Sequence, residues 1–331
     1  MSLITLAVQG SFFSSISPKT VIIIIAAIFM FILVNLFSFG YIGSNIAFLN
    51  VFKRTKPTKW SRVPKILNEQ HGRMYEIGYA WHDKYEEYKT NVHIVNDGLN
   101  LYGEYFDFGN KKAVIIVAGR TDSLKYSYFF AEPYRESGCN VLVIDTRAHG
   151  ESDGEVITLG HKESEDTIAW AKMIHDEYGI EKIILHGICI GSACSLYAMI
   201  SDACPEYIEG MVADGMFANF GDSFKNHMIE FKIPTVFIYR IFTFMYKLKT
   251  GYSLTTGPLE VIDQMHKPLL MLHSKEDNYS TPYYAEKLFE KCASKTKEIV
   301  WFSHGRHSML RITDTEKYDA AVKSFIKRNF D

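Results

Sequence analysis

Residues 182–195 read KIILHGICIGSACS. The run KIILHG is largely apolar and rich in isoleucine, as a buried strand would be, and from Ser192 a helical stretch runs to 203. Between them Gly187 and Gly191 bracket Cys189. A strand that passes into a helix within a few residues must cross strained backbone, and glycine on either side removes the side chains that would clash there. The helix that follows points its positive end at the sulfur and favours a thiolate. The competing reading is a small buried cysteine, the ordinary fate of a free thiol.

Outward from this point, short apolar runs alternate with helical stretches. Strands are expected at 113–119 (AVIIVAG), 140–145 (NVLVID), 182–187, 207–214, 268–274 (PLLMLHS) and 298–303 (EIVWFS). Helices are expected at 124–137, 162–178, 192–203, 283–293 and 314–329. Around Asn96-Asp97-Gly98, NVHIVNDGLNLYGEYFDF alternates apolar and polar residues and reads as a hairpin. A hairpin followed by strand–helix alternation predicts an α/β domain over 91–331, a mostly parallel sheet with helices on both faces.

An insertion at about 219–256 carries KIPTVFIYRIFTFMYKL, more apolar than a surface helix should be, and reads as a cap or as core, with membrane contact the third choice. Within it Phe231, Ile233, Val236, Phe237, Ile238, Ile241, Phe242, Phe244 and Met245 follow closely. As a cap they would line an apolar pocket, with Phe242 and Met245 as substrate-binding residues.

The chain has 331 residues, 47% apolar and 22% charged, with a net charge of −2. No global basic field argues for nucleic acid. Five cysteines with no CxxC pair point to reduced thiols, and no His/Cys/Asp cluster has zinc-ligand spacing. A Gly-rich dinucleotide fingerprint is also missing, so no cofactor is expected.

After an N-terminal segment (1–20), residues 21–39, VIIIIAAIFMFILVNLFSF, carry no charge, and the uncharged stretch continues to 52. Nineteen helical residues rise about 28 Å, close to the hydrocarbon thickness of a bilayer. A signal peptide would be shorter and preceded by basic residues, so the reading is a single-pass membrane anchor. Lys53, Arg54, Lys56, Lys59, Arg62 and Lys65 follow it, against Lys19 before it, which places the C-terminal domain in the cytoplasm. Residues 53–90 read as a basic linker and a helix.

From about residue 91 onward the chain resembles the α/β-hydrolase superfamily, near bacterial hydrolases of the serine-aminopeptidase-like branch. The resemblance rests on VIDTRAHGESDG (143–154), HGICIG (186–191), VADGMFANF (212–220), PLLMLHSKEDNYSTP (268–282) and HGRHS (304–308). It implies that Cys189 stands at the serine of the G-x-S-x-G elbow as nucleophile, His307 as base and Asp277 as the acid that orients it. His304, Glu276 and Asp214 are the neighbouring rivals. The oxyanion hole would use the backbone N–H of Ile190 and one after strand 113–119, where Arg120 is the choice and Thr121 the alternative. Asp145, Arg147, His149 and Asp153 match a loop that packs rather than reacts.

Cysteine nucleophiles occur in this superfamily in dienelactone hydrolases and polyhydroxyalkanoate synthases. The implied function is a membrane-anchored acyl hydrolase that cleaves an ester, thioester or amide through a thioester acyl-enzyme. An acyltransferase using the same residues and a catalytically inactive membrane-anchored binding protein are the alternatives. The partners implied are a small, lipophilic acyl substrate and the bilayer.

Overall fold

A computed structural model describes residues 17–61, 66–230, 232 and 235–331, with backbone alone at 227, 230 and 235–237. Arg62, Lys65, Phe231 and Ile233, and most of the segment 1–20, lie outside the described residues; so do the side chains of Val236 and Phe237. Eight strands form one sheet: β1 Lys89–Asn96, β2 Leu99–Phe106, β3 Lys112–Val117, β4 Asn140–Ile144, β5 Lys182–Ile188, β6 Ile208–Asp214, β7 Leu269–Ser274 and β8 Lys297–Phe302. Their order is β1-β2-β4-β3-β5-β6-β7-β8, antiparallel at β1–β2 and β2–β4 and parallel beyond. The β1–β2 hairpin turns on Asp97 and Gly98, both at positive φ, which a two-residue turn matched to strand twist requires.

The central strands read as continuous apolar runs because both faces are covered. Ile115, Val117, Ile183 and Leu185 face a core shared with Trp170 and Leu196. These two come from α3 (His161–Tyr178) and α4 (Ile190–Met199). Val114, Ile116 and Ile184 face the opposite core with Met74, Tyr318 and Phe325, from α2 (Glu69–Lys84) and α7 (Thr315–Phe330). The helix expected over 124–137 is three short pieces, and the last begins with Pro133 in its first turn. Proline starts a helix well and cannot continue one.

The apolar N-terminal stretch is one helix, α1, Pro18–Val51, capped by the Ser17 hydroxyl, which accepts from the Thr20 N–H at 3.2 Å. It is long and apolar enough to cross a membrane. Its side chains from Val21 to Phe39 are exposed, whereas Gly40, Ser44 and Phe48, four residues apart, form a buried stripe. At 1.5 Å per residue the helix is about 51 Å long, so a bilayer core of about 30 Å leaves its last turns free to dock. They dock on α6 (Thr235–Thr250), which with α5 (Phe220–Glu230) makes up most of the insertion.

Residues 53–61, read from sequence as the start of a linker, are tied to the domain instead, as is Phe52 before them. Phe52 is buried among Tyr246, Phe220, Phe48 and Phe242, with ring centroids 4.6–5.9 Å away. Arg54 donates from Nη1 to Ser152 O (2.9 Å) and from Nη2 to Gly150 O (2.7 Å). Gly150 N–H returns a bond to Trp60 O, and the Trp60 ring stacks on His149. Of the basic side chains that made the segment look solvated, Arg54 thus grips carbonyls far along the chain, Lys53 pairs with the Glu155 carboxylate at 2.8 Å, and Lys59 donates to the carbonyls of Leu49 and Lys53.

Phe52→Ala should therefore destabilise the domain by about 3–5 kcal/mol, the cost of emptying a buried aromatic site. Denaturant unfolding in detergent measures it. Phe244→Ala, at an exposed position on α6, should stay within about 0.5 kcal/mol.

Candidate active site

Between Ile188, the end of β5, and Ile190, the start of α4, Cys189 has φ 55° and ψ −112°. A non-glycine residue there stores on the order of 1–3 kcal/mol of strain, which the surroundings must hold. Cys189 N–H donates to Asp214 O at 2.8 Å, and Ser192 Oγ to Gly187 O at 2.6 Å. A Cβ on Gly187 would lie 2.2 Å from Gly191 O, and one on Gly191 2.0 Å from Val117 O. Both collisions are with backbone, so neither can be relieved by a rotamer change.

His307, in the loop after β8, donates from Nδ1 to Asp277 Oδ2 at 2.7 Å. Asp277, after β7, is fixed in turn by the N–H groups of Tyr279 (2.7 Å) and Ser280 (2.9 Å) on its Oδ1. Burial opposes charge on both members. On Asp277 the His307 charge and these bonds win, and its pKa falls. On His307 the charges of Cys189 and Asp277 win, and its pKa lies well above the ordinary histidine value. The thiol, imidazole and carboxylate are thus one electrostatic unit. With Nδ1 committed to Asp277, Nε2 is the free nitrogen, buried and without a hydrogen-bond partner among the described residues.

The rivals separate by geometry. His304 pairs with Glu276 in the open, its Nδ1 3.0 Å from Oε1. Asp214 is buried and accepts from the Tyr318 hydroxyl at 2.9 Å rather than from His307. Burial raises its pKa to about 7.

The loop after β3 passes directly over the elbow: a Cβ on Gly119 would lie 3.6 Å from the Cys189 Cβ. Among the described residues, neither Ile190 N–H nor Arg120 N–H has an acceptor within the protein. His149 holds this loop. Its Nε2 is 2.6 Å from Arg120 O, and its Nδ1 lies 2.9 Å from Arg147 O and 3.0 Å from Thr146 Oγ1. Burial keeps the ring neutral. Arg147 forms a bidentate pair with Asp166, both distances 2.7 Å, and Asp145 accepts from Leu124 and Glu151 N–H.

The profile of the α/β-hydrolase fold family matches residues 112–228. An uncharacterized protein of Bacillus subtilis, YqkD, is 30% identical over 221 residues, 64% of this chain and 70% of its own length. The chain belongs to the α/β-hydrolase fold family. An uncharacterized membrane protein of Saccharomyces cerevisiae is 24% identical over 232 residues, 69% of this chain and 76% of that one. A Pyrococcus furiosus esterase, Pf2001, shares the fold with a TM-score of 0.61 and 23% identity, over 76% of this chain and 96% of that one.

In this α/β-hydrolase chain Phe242 and Met245 are both buried, Phe242 stacked on Phe224 (4.2 Å) and Phe52, and Met245 Sδ 3.9 Å from Asn45 Nδ2 of α1. The partners that the structure gives them are thus α5, α1 and the residue that follows α1. An open surface depression bordered by Leu259, Glu260, Lys287, Glu290 and Lys291 shares no residue with the site.

Sequence reasoning missed several residues around the sulfur. Asp122 is half-buried, and desolvation raises its pKa to about 6; its Oδ1 lies 3.4 Å from the Tyr75 hydroxyl. Tyr126 donates to Ser308 O at 2.6 Å, beside His307, and Tyr279 stacks on the His307 ring. Asp122 lay within reach of a motif argument, two residues past the expected oxyanion donor. Tyr75 lay outside any motif.

Burial raises the pKa of Cys139 to about 12 and also raises those of Cys194, Cys204 and Cys292. Iodoacetamide at pH 7.5 should therefore label Cys189 first, as read by peptide mapping. Prior labelling of Cys204 or Cys292 would contradict this. Gly191→Ala should lose that selectivity, because the elbow cannot form around the added methyl.

Proposed function

We propose that this protein is a membrane-anchored acyl hydrolase of the serine-aminopeptidase-like kind, cleaving an ester, thioester or amide through Cys189. The observation that carries the reading is the strained positive-φ cysteine at the β5–α4 turn, backed by the part-buried His307–Asp277 pair and flanked by two amide N–H groups that have no acceptor among the described residues. A cysteine kept there for packing alone would need neither.

The chemistry follows from the order of the groups. His307 Nε2 takes the thiol proton, and the sulfur attacks the acyl carbonyl carbon. The carbonyl oxygen becomes an oxyanion that the N–H groups of Ile190 and Arg120 stabilise. Collapse expels the leaving group, which receives the proton from His307, and leaves an acyl thioester on Cys189. Water, deprotonated by His307, attacks the thioester; the acid leaves and the thiol regains its proton. Asp277 fixes the imidazole tautomer throughout.

Anchoring rests on α1, and the name of the yeast relative points the same way. The outer face of α6 exposes Arg240, Phe244, Lys247 and Leu248, a basic and apolar mixture suited to the headgroup boundary. The basic residues after α1 put the hydrolase domain on the cytoplasmic side.

Cys189→Ala should lower kcat/KM for a short acyl ester by about a thousandfold or more while leaving the unfolding midpoint within a few degrees of the parent. Intact-mass detection of an acyl adduct on the parent protein, absent in the variant, is the companion measurement. Unchanged turnover in Cys189→Ala would remove the reading.

A further inference from the structure

Two cations meet at the C-terminal end of α1, beside the elbow. Arg120 Nη1 donates to Val51 O at 3.1 Å, and Lys59 Nζ donates to Leu49 O at 2.7 Å and to Lys53 O. They lie close enough to repel: burial and then the Arg120 charge lower the Lys59 pKa to about 8. The Arg120 guanidinium also feels the Cys189 charge, and it sits over the Phe220 ring at 5.9 Å. Lys59 sits over the Trp60 ring at 4.3 Å.

Capping of a helix C-terminus accounts for one of these cations but not for both. The helix end offers roughly half a negative charge, so two cations leave the spot strongly positive. Among the described residues neither Lys59 nor Arg120 touches a carboxylate. Asp122 and Tyr279 act on Arg120 only through space, and Asp122 turns its Oδ1 to Tyr75. Among the described residues the Arg120 guanidinium commits one of its five N–H donors to the protein, and both side chains are partly open to solvent. Phe52, Phe220 and Phe242 pack against one another next to them, and the exposed apolar part of α1 begins one docked segment away.

We propose that Lys59 and Arg120 form an anion subsite adjoining Cys189, which binds the phosphate or carboxylate of an amphiphilic acyl substrate. The proposal rests on Cys189 as nucleophile for its substrate half only; the anion site itself does not depend on turnover. An acyl ester reaching the sulfur along this wall would place its charged group on the guanidinium and ammonium, and its chain against the aromatic cluster. The same pair could instead meet the anionic headgroups of the bilayer, and the experiment separates the two sources.

The first arm measures binding on full-length Cys189→Ala protein in an uncharged detergent, titrated with inorganic phosphate and read by Trp60 fluorescence, with Trp60→Phe as the blank. A saturable change, weakened by salt and lost in Lys59→Gln and Arg120→Gln, is expected. The second arm compares kcat/KM for a monoacylglycerol phosphate with that for the neutral monoacylglycerol of equal chain length. The parent should prefer the phosphate by about tenfold or more, the effect of one charge-assisted contact. That ratio should fall towards one in Lys59→Gln and be partly kept in Arg120→Lys.

No phosphate-dependent signal, or a ratio that the variants leave unchanged, would overturn the proposal. A signal seen with phosphatidylglycerol-containing vesicles but not with phosphate or with phosphatidylcholine vesicles would likewise overturn it, in favour of the bilayer. Phosphate binding without turnover of either ester would leave the subsite standing and count against Cys189 as the nucleophile.

Discussion

Three backbone segments meet at the elbow with no room for a side chain, and the site depends on that contact. Gly191 lies on the last carbonyl of β3, and Gly187 lies on the carbonyl of Gly191. The approach forces Cys189 into its positive-φ conformation and turns the chain at once into α4. It also brings the loop after β3 over the sulfur, because β3 and β5 are neighbours in the sheet. The sulfur, the unpaired Ile190 N–H and the Arg120 N–H are therefore placed by one packing contact. The bond from Cys189 N–H to Asp214 O adds β6, so three adjacent parallel strands define the apex.

The foot of α1 is the second organising element. A helix that only tethered a domain would need no buried stripe, yet Gly40, Ser44 and Phe48 pack against α6, and Phe52 closes the aromatic cluster. From there two routes reach the loop after β3. One is the Arg120 side chain on Val51 O; the other runs from Trp60 through the stacked His149 to Arg120 O. Displacing the helix foot would remove the partner of the Arg120 side chain, so α1 and this loop are directly joined. The same arrangement leaves two cations facing one helix terminus.

The fold was legible because parallel strands covered on both faces must be continuous apolar runs, and AVIIV, VLVI and KIIL are short enough to be strands only. His307 and Asp277 were legible through motif spacing, and His304 lost to His307 because its only described side-chain partner is the exposed Glu276. The segment 53–61 was misread for a definite reason. Its lysines and arginine suggest solvation, yet Arg54 is received by the carbonyls of residues 150 and 152, Lys59 by those of residues 49 and 53, and Lys53 by the Glu155 carboxylate, pairings that carry no sequence signal. Phe242 and Met245 carry the same lesson: an apolar helix announces that it will be buried, not against what.

By itself the sequence determined what local chemistry decides: strand and helix alternation, the glycines that permit the elbow, the Asp-Gly hairpin and an apolar helix long enough for a bilayer. Those are properties of residues within a few positions of one another. Tertiary structure alone decided that the foot of α1 and Phe52 pack on Phe242 and Met245, that Arg54 bonds the carbonyls of Gly150 and Ser152, and that Lys59 and Arg120 share one helix end. Each of these is a choice among partners of equal chemical aptitude, far apart in the chain. Only the packing of the sheet and of the docked helix says which of them come within reach.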